Sequence, residues 1–189
     1  MNVLHCFGWV TQGFDNRYPH YSPDEVMGGE EGLKQALAEV KAEGGHMILY
    51  TQGQLIDPTT EFYQGGQGKR TVVRDIWGYE YREQYAQFAE GTLLSQWRNK
   101  WFGVACPLAP GWIDRLASQF DMVSALGAQG ILYDQMGGMP PYICFSDEHD
   151  HEKPSLAVGP GKVRNMRRLR DLIKGQDPDF AFVIELVTD

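Results

Sequence analysis

Short runs of consecutive apolar residues alternate with helix-period stretches along this chain, and two of the runs end in a carboxylate. Gly130-Ile131-Leu132-Tyr133 leads into Asp134-Gln135, and Phe180-Ala181-Phe182-Val183-Ile184 leads into Glu185. Such runs, bounded by Gly or Pro, predict strands buried on both faces. Val3 to Trp9 and His46 to Tyr50 read as two earlier strands. Between them, Leu33, Ala36, Leu37 and Val40 recur at helical spacing and predict a helix from about Gly29 to Glu43. Ser22-Pro23-Asp24-Glu25 supplies a start signal and Gly44-Gly45 a stop. Trp112, Leu116, Phe120 and Val123 mark a second helix closed by Gly127. Val163, Met166, Leu169 and Ile173 mark a third, from about Lys162 to Lys174. The order β-α-β-α-β-α-β predicts a parallel sheet with right-handed crossovers.

In sheets of this kind ligands sit beyond the carboxyl ends of the strands. Polar side chains gather there: Trp9, Gln12, Asp15 and Asn16 after the first strand, Tyr50, Gln52, Gln54 and Asp57 after the second. Asp134 and Gln135 follow the third, and Glu185 and Asp189 the fourth. No strand leads into a Gly-x-Gly-x-x-Gly turn, which argues against a dinucleotide fold, and Gly65-Gly66-Gln67-Gly68 lacks the Lys-Ser/Thr of a phosphate loop.

At 189 residues the chain can bury one core. It is short of the about 250 residues of a full (β/α)₈ barrel. It starts in a strand and ends four residues after Glu185, so a fragment is expected. The connection 58–110 is too long for a plain loop and carries Phe62, Tyr63, Trp77, Tyr79, Tyr81, Tyr85, Phe88, Trp97, Trp101 and Phe102. It predicts an insertion over the strand ends, with most aromatics filling its own core and Trp9 and Trp77 free to stack on a sugar ring.

The net charge of −8 argues against nucleic acid. No apolar run nears the roughly 20 residues of a membrane span. Cys6, Cys106 and Cys144 are odd in number and widely spaced, so neither a disulfide framework nor a zinc quartet is expected. In Asp147-Glu148-His149-Asp150-His151-Glu152 the two histidines are assigned to polar contact with substrate rather than to a metal. The basic residues from Lys162 to Lys174 are assigned to a solvated outer face.

Two carboxylates on neighbouring strand ends suit glycoside hydrolysis. Asp134, beside Gln135 and two glycines, reads as the more solvated group and the nucleophile. Glu185, among Val183, Ile184, Leu186 and Val187, reads as the desolvated general acid.

The segments Phe7-Gly8-Trp9…Gly13-Phe14-Asp15…Tyr18-Pro19…Tyr21, Leu49-Tyr50-Thr51-Gln52…Asp57, Cys106-Pro107…Trp112 and Gly130-Ile131-Leu132-Tyr133-Asp134-Gln135 resemble a bacterial family, domain of unknown function family 6259. That family is a glycosidase-like TIM barrel. More distantly the layout is similar to retaining α-glycosidases of the α-galactosidase and endo-α-N-acetylgalactosaminidase types. The resemblance implies a partial (β/α)₈ TIM barrel over 1–189, with its strands standing as the second to the fifth and the rest supplied by the full-length chain. It implies an Asp nucleophile on the fourth barrel strand, Asp134 here. In the endo-acting type the acid/base Glu follows on the fifth, Glu185 here. In α-galactosidases the acid/base comes from a later strand, and Glu185 would then bind substrate.

The reading is a glycoside hydrolase, retaining on α-linked sugars, with Asp134 and Glu185 catalytic and no cofactor. Trp9, Asp15, Tyr50, Gln52, Asp57, Trp77, Gln135, His149, His151 and Asp189 are the substrate-binding candidates, and carbohydrate is the expected partner. These 189 residues alone are expected to be inactive, and export of the full-length form, to the periplasm or beyond, would suit a sugar-degrading barrel. Two alternatives remain open: a divalent-metal lyase or isomerase of the enolase type, and a barrel that binds carbohydrate without turning it over.

Overall fold

The computed structural model describes residues 2–11, 13–86, 99–138 and 142–185. Four parallel strands form the main sheet: β1 (Asn2–Cys6), β2 (Gly45–Gln52), β6 (Gly130–Asp134) and β7 (Ala181–Ile184). Their spatial order β1-β2-β6-β7 follows the chain without reversal. A doubly wound sheet reverses at its switch point. Here each right-handed crossover adds the next strand on the same side, which stacks the crossover helices on one face. Those helices are α1 (Gly29–Ala42), α4 (Trp112–Ala125) and α5 (Gly159–Gln176).

Register fixes which side chains face the helices. Tyr50 pairs with Leu132, Gln52 with Asp134, and Tyr133 with Ile184. Successive side chains alternate faces, so Ile131, Tyr133, Phe182 and Ile184 share one face and Leu132, Asp134, Val183 and Glu185 the other. The first set lies under the helices. Tyr133 donates its hydroxyl to the Leu116 carbonyl of α4 at 2.6 Å and packs on Phe182. Leu49, Thr51, Ile131 and Tyr133 are completely buried there. The opposite face carries Tyr50, Gln52 and Asp134, and the register of β1 extends it to His5 and Phe7.

The second sheet is antiparallel, in the order β3-β5-β4: β3 (Leu55–Ile56), β4 (Arg82–Ala86) and β5 (Asn99–Val104). Together with the short helices α2 (Glu61–Gln64) and α3 (Gln67–Thr71), it makes up the helices and sheet of the described part of the long connection. Phe62, Tyr63 and Phe102 are buried in one hydrophobic core with Leu49, Trp112 and Ile131, whereas Tyr79 is exposed. Phe88 and Trp97 lie outside the described residues. The sheet abuts the strand ends, because Gly53 N–H donates to the Asp134 carbonyl at 2.9 Å and Ala105 N–H to the Gln54 carbonyl at 2.8 Å. Gly53 eases this approach: a Cβ there would stand 3.0 Å from that carbonyl oxygen and 3.1 Å from the Met136 side chain, so a larger residue would push the two apart by a few tenths of an ångström.

Several boundaries differ from the sequence expectation. β1 stops at Cys6, three residues early, because Trp9 turns inward and donates its indole N–H to the Tyr50 carbonyl at 3.0 Å. The helix-start residue is Asp24 rather than Ser22. Its carboxylate caps Val26 N–H at the head of a 3₁₀ turn, Glu25–Met27, and α1 begins after Gly28 in a left-handed conformation. α5 starts three residues early at Gly159, since Pro160 fits a first helical turn, where no N–H is needed. The edge strand β7 is half-buried and β1 largely exposed, unlike the central β6.

Candidate active site

Asp134 ends the central strand β6, with its side chain on the face away from the helices. Its Oδ2 accepts hydrogen bonds from the Tyr50 hydroxyl at 2.5 Å and from Gln52 Nε2 at 2.9 Å. Both donors come from β2, two residues apart, as a period of two requires. Tyr50 is itself held by Tyr18, hydroxyl to hydroxyl at 3.1 Å, and Gln52 Oε1 accepts from Gln54 N–H at 2.9 Å. Among the described residues no donor meets Oδ1 in hydrogen-bonding geometry. Oδ2 is thus fixed by two neutral donors, while Oδ1 is buried without one.

The Glu185 carboxyl, one strand over on the same face, lies within hydrogen-bonding reach of Asp134. Glu185 N–H donates to the Tyr133 carbonyl at 3.3 Å, and its own carbonyl accepts from Gly137 N–H at 3.0 Å, which carries the β7 register past the strand end. Burial lifts the Asp134 pKa to about 7, and the Glu185 carboxyl adds to this, while the Tyr50 hydrogen bond works against it. The environments are therefore the reverse of the sequence expectation. Asp134 is buried because its strand is flanked by β2 and β7, and Glu185 is exposed because β7 is the sheet edge.

The residue after Asp134 is under backbone strain. Gln135 has φ 59°, a left-handed conformation that costs a residue other than glycine on the order of 1 kcal/mol. Lys162 holds it there. The Lys162 ammonium is buried and donates to the carbonyls of Gln135 and Gly138 at 2.8 and 2.6 Å, and Gln135 Nε2 donates to Glu83 Oε1 at 3.0 Å. Burial lowers the Lys162 pKa to about 8, with the Glu83 charge opposing. This corrects the expectation of a solvated basic face: Lys162 points inward from the first turn of α5 to clamp the loop behind Asp134.

The other candidates separate into groups. Tyr50, Gln52 and Gln135 surround Asp134. Asp15 accepts from the Tyr18 hydroxyl at 3.1 Å, and burial raises its pKa. Asp57 is completely buried and fully committed to the fold. Its oxygens accept from Lys100 Nζ at 2.9 Å, Arg17 N–H at 2.8 Å, and the Thr59 N–H and hydroxyl at 2.9 and 2.7 Å. Burial alone would raise its pKa, but these donors outweigh it and hold the carboxyl below its usual value. Lys100→Met, which leaves that carboxylate without its cation, is expected to cost about 3 kcal/mol in denaturant unfolding. A loss under about 1 kcal/mol would mean that solvent already screens the pair.

Trp9 is a core residue, stacked on Tyr21 at 5.9 Å. Trp77 is 79% exposed on a turn pinned by Asp75 Oδ1. Asp189 lies outside the described residues. Phe7 and Phe14 are instead partly exposed and packed on Tyr50, the donor to Asp134, at 5.0 and 4.9 Å. Phe7 directly follows β1, whose register ends at Cys6 opposite Leu49, and continuing that register by one residue brings it to Tyr50, on which its ring packs. His149 and His151 lie with Cys106 and Cys144, one ligand atom of each within 4.8 Å of the others, rather than among the donors to Asp134.

A parallel sheet in chain order, with its crossover helices on one face, defines an α/β domain. The chain belongs to the family described as Domain of unknown function (DUF6259), which it matches over residues 2–184. A protein of Bacteroides thetaiotaomicron named "Putative glycoside hydrolase" is 29% identical over 149 residues, covering 78% of this chain and 20% of that protein. The α-N-acetylgalactosaminidase NagBb of Bifidobacterium bifidum, solved with GalNAc, superposes with a TM-score of 0.71 at 15% identity. The match covers 99% of this chain and 29% of that one. The α-galactosidase TtGalA of Thermus thermophilus, solved with stachyose, gives 0.60 at 14% identity, covering 91% and 31%. The chain thus spans about a fifth of the curated relative and under a third of these solved structures, and the likeness to the latter is one of fold.

Proposed function

We propose that this chain carries the catalytic carboxylates of a retaining glycoside hydrolase acting on α-linked galactose or N-acetylgalactosamine. On this reading its four parallel strands form one side of a (β/α)₈ barrel. The observation that carries the proposal is the pairing of Asp134 and Glu185. They stand at the ends of adjacent strands, on one face and within reach of a shared proton, with Asp134 Oδ2 fixed by Tyr50 and Gln52. Carboxyls about 5–5.5 Å apart suit retention and about 6.5–9.5 Å inversion. Carboxyls in contact are closer than either spacing and must part to admit a sugar, so retention is decided by the stereochemistry of the product.

Asp134 Oδ1 attacks the anomeric carbon, forming a glycosyl ester as the C–O bond to the leaving group breaks. Glu185 gives its proton to the leaving oxygen, then takes one from the water that hydrolyses the ester. Tyr50 and Gln52 spread the nucleophile's charge and hold its orientation. Phe7 and Phe14 offer ring faces to the sugar. The sugar class rests on the two solved relatives, named for galactose and N-acetylgalactosamine linkages. The enolase-type alternative would use Asp134 and Glu185 as metal ligands but also asks for a Lys base at a strand end, and none of the four parallel strands ends in Lys.

The test is the stereochemistry of the product. The intact protein is given aryl α-galactoside and aryl α-N-acetylgalactosaminide, and proton NMR follows the first sugar released. The α-anomer is expected, and the β-anomer would refute double displacement. In the same assay kcat/KM is expected to fall as pH climbs through about 7, because the pair then loses the one proton it shares and Glu185 can no longer protonate the leaving oxygen. A profile flat from pH 5 to pH 8 would contradict that assignment.

A further inference from the structure

Cys106, Cys144, His149 and His151 converge from two parts of the fold. Cys106 directly follows the antiparallel sheet at Ala105, and the other three lie on the connection from β6 to α5. One ligand atom from each side chain can be chosen so that all four lie within 4.8 Å of one another. A tetrahedral zinc, with Zn–S near 2.3 Å and Zn–N near 2.0–2.1 Å, sets its ligand atoms about 3.3–3.8 Å apart. The cluster is therefore within about an ångström of closing on a metal. We propose that Cys106, Cys144, His149 and His151 bind one structural zinc ion that ties the antiparallel insertion to the loop behind Asp134.

Three further observations support a ligand at this spot. His149 Nδ1 stands 3.3 Å from Cys144 Sγ, while its Nε2 lies 2.6 Å from the Arg70 carbonyl. A metal-bound histidine usually gives its second ring N–H to such an acceptor, which fixes the ring and its tautomer. Both ring nitrogens of His151 are buried, and neither has a hydrogen-bond partner among the described residues. A buried imidazole without partners is costly, and a metal bond would remove much of that cost. Finally, two thiolates and two neutral imidazoles balance the charge of a zinc ion, as a buried site requires. With all four positions taken by protein the site is closed, so its role is structural rather than catalytic. The segment it anchors begins at Gln135, and Lys162 clamps that same segment from the other side.

The experiment measures metal in the intact protein, purified without a histidine tag from zinc-supplemented medium. About one zinc per chain is expected by elemental mass spectrometry. Cys106→Ser and His151→Ala should each lose most of it. His151→Cys, which swaps one zinc ligand for another, should keep it, and Asp147→Asn with Asp150→Asn should leave it unchanged. Cobalt in place of zinc should give the intense visible bands of a tetrahedral site and a thiolate-to-metal charge-transfer band, and the variants that lose zinc should lack both. Folded wild-type protein with well under half a zinc per chain would overturn the proposal. So would a Cys106–Cys144 disulfide in non-reducing mass spectrometry, or metal content that ignores Cys106→Ser and His151→Ala. The wild-type measurement decides by itself if the variants fail to fold, and it is independent of whether the protein hydrolyses glycosides.

Discussion

Asp134→Ala in the intact protein is expected to lower kcat/KM on the order of 10⁴-fold or more while the protein stays folded. The loss is large because no neighbour can replace the attacking atom: Tyr50 and Gln52 are neutral donors already turned toward that position. Azide, small enough to enter the space left by the carboxylate, should restore turnover. It would attack from the nucleophile's side and release a β-glycosyl azide from an α-glycoside. Near-normal activity without azide would remove Asp134 from the role. The companion variant Asp134→Asn is expected to be as inactive and yet more stable. A carboxyl whose pKa rises from 3.8 to about 7 on folding favours the folded state at acid pH. That contribution is fully present below about 4 and lost as pH climbs through about 7, because the native state must then ionise a buried group. Replacing the acid with a neutral amide should therefore stabilise the protein at pH 8 by up to about 4 kcal/mol, and by much less at pH 5. Equal melting of the two proteins across that range would show that the native carboxyl ionises normally.

Glu185→Ala separates the two roles that family likeness allows. As the acid/base, Glu185 is dispensable for a leaving group that departs without a proton but not for activating water. With a nitrophenyl glycoside the variant should show a burst of one turnover followed by slow release, with a depressed KM and loss of roughly 10²–10⁴-fold in steady state. Azide should then accelerate the second step and give an α-glycosyl azide, the configuration opposite to that from Asp134→Ala. If Glu185 only binds substrate, KM should rise, no burst should appear, and azide should have no effect. The exposure of Glu185 at the sheet edge makes the rescue practicable, since azide can reach the position.

The sheet and its helices were legible because periodicity and strand runs report burial, and each crossover connection is local. The strand ends named Asp134, Glu185, Tyr50 and Gln52 for the same reason: a carboxylate that directly terminates an apolar run has few other places to be. What stayed hidden depends on pairing over distance. Lys162 reads as one charge among several on a basic helix, and only the fold turns it toward Gln135 and Gly138. Trp9 reads as a free aromatic, yet its indole is spent on the Tyr50 carbonyl, while Phe7 gains its place opposite Tyr50 by continuing the β1–β2 register one residue. The burial of Asp134 and Glu185 was inverted because neighbours in sequence do not show which strand is central and which is the edge. Cys106 could not be joined to Cys144, His149 and His151, since one of the four ligands arrives from the antiparallel insertion.

The central claim is that Asp134 makes the covalent bond to sugar. It is tested most directly by incubating the intact protein with an activated fluorinated α-galactosyl donor, whose glycosyl ester forms faster than it hydrolyses, and mapping the adduct by peptide mass spectrometry. The sugar is expected on Asp134. An adduct on another carboxylate would contradict this account of the site, and inversion of product configuration with no adduct would contradict the mechanism.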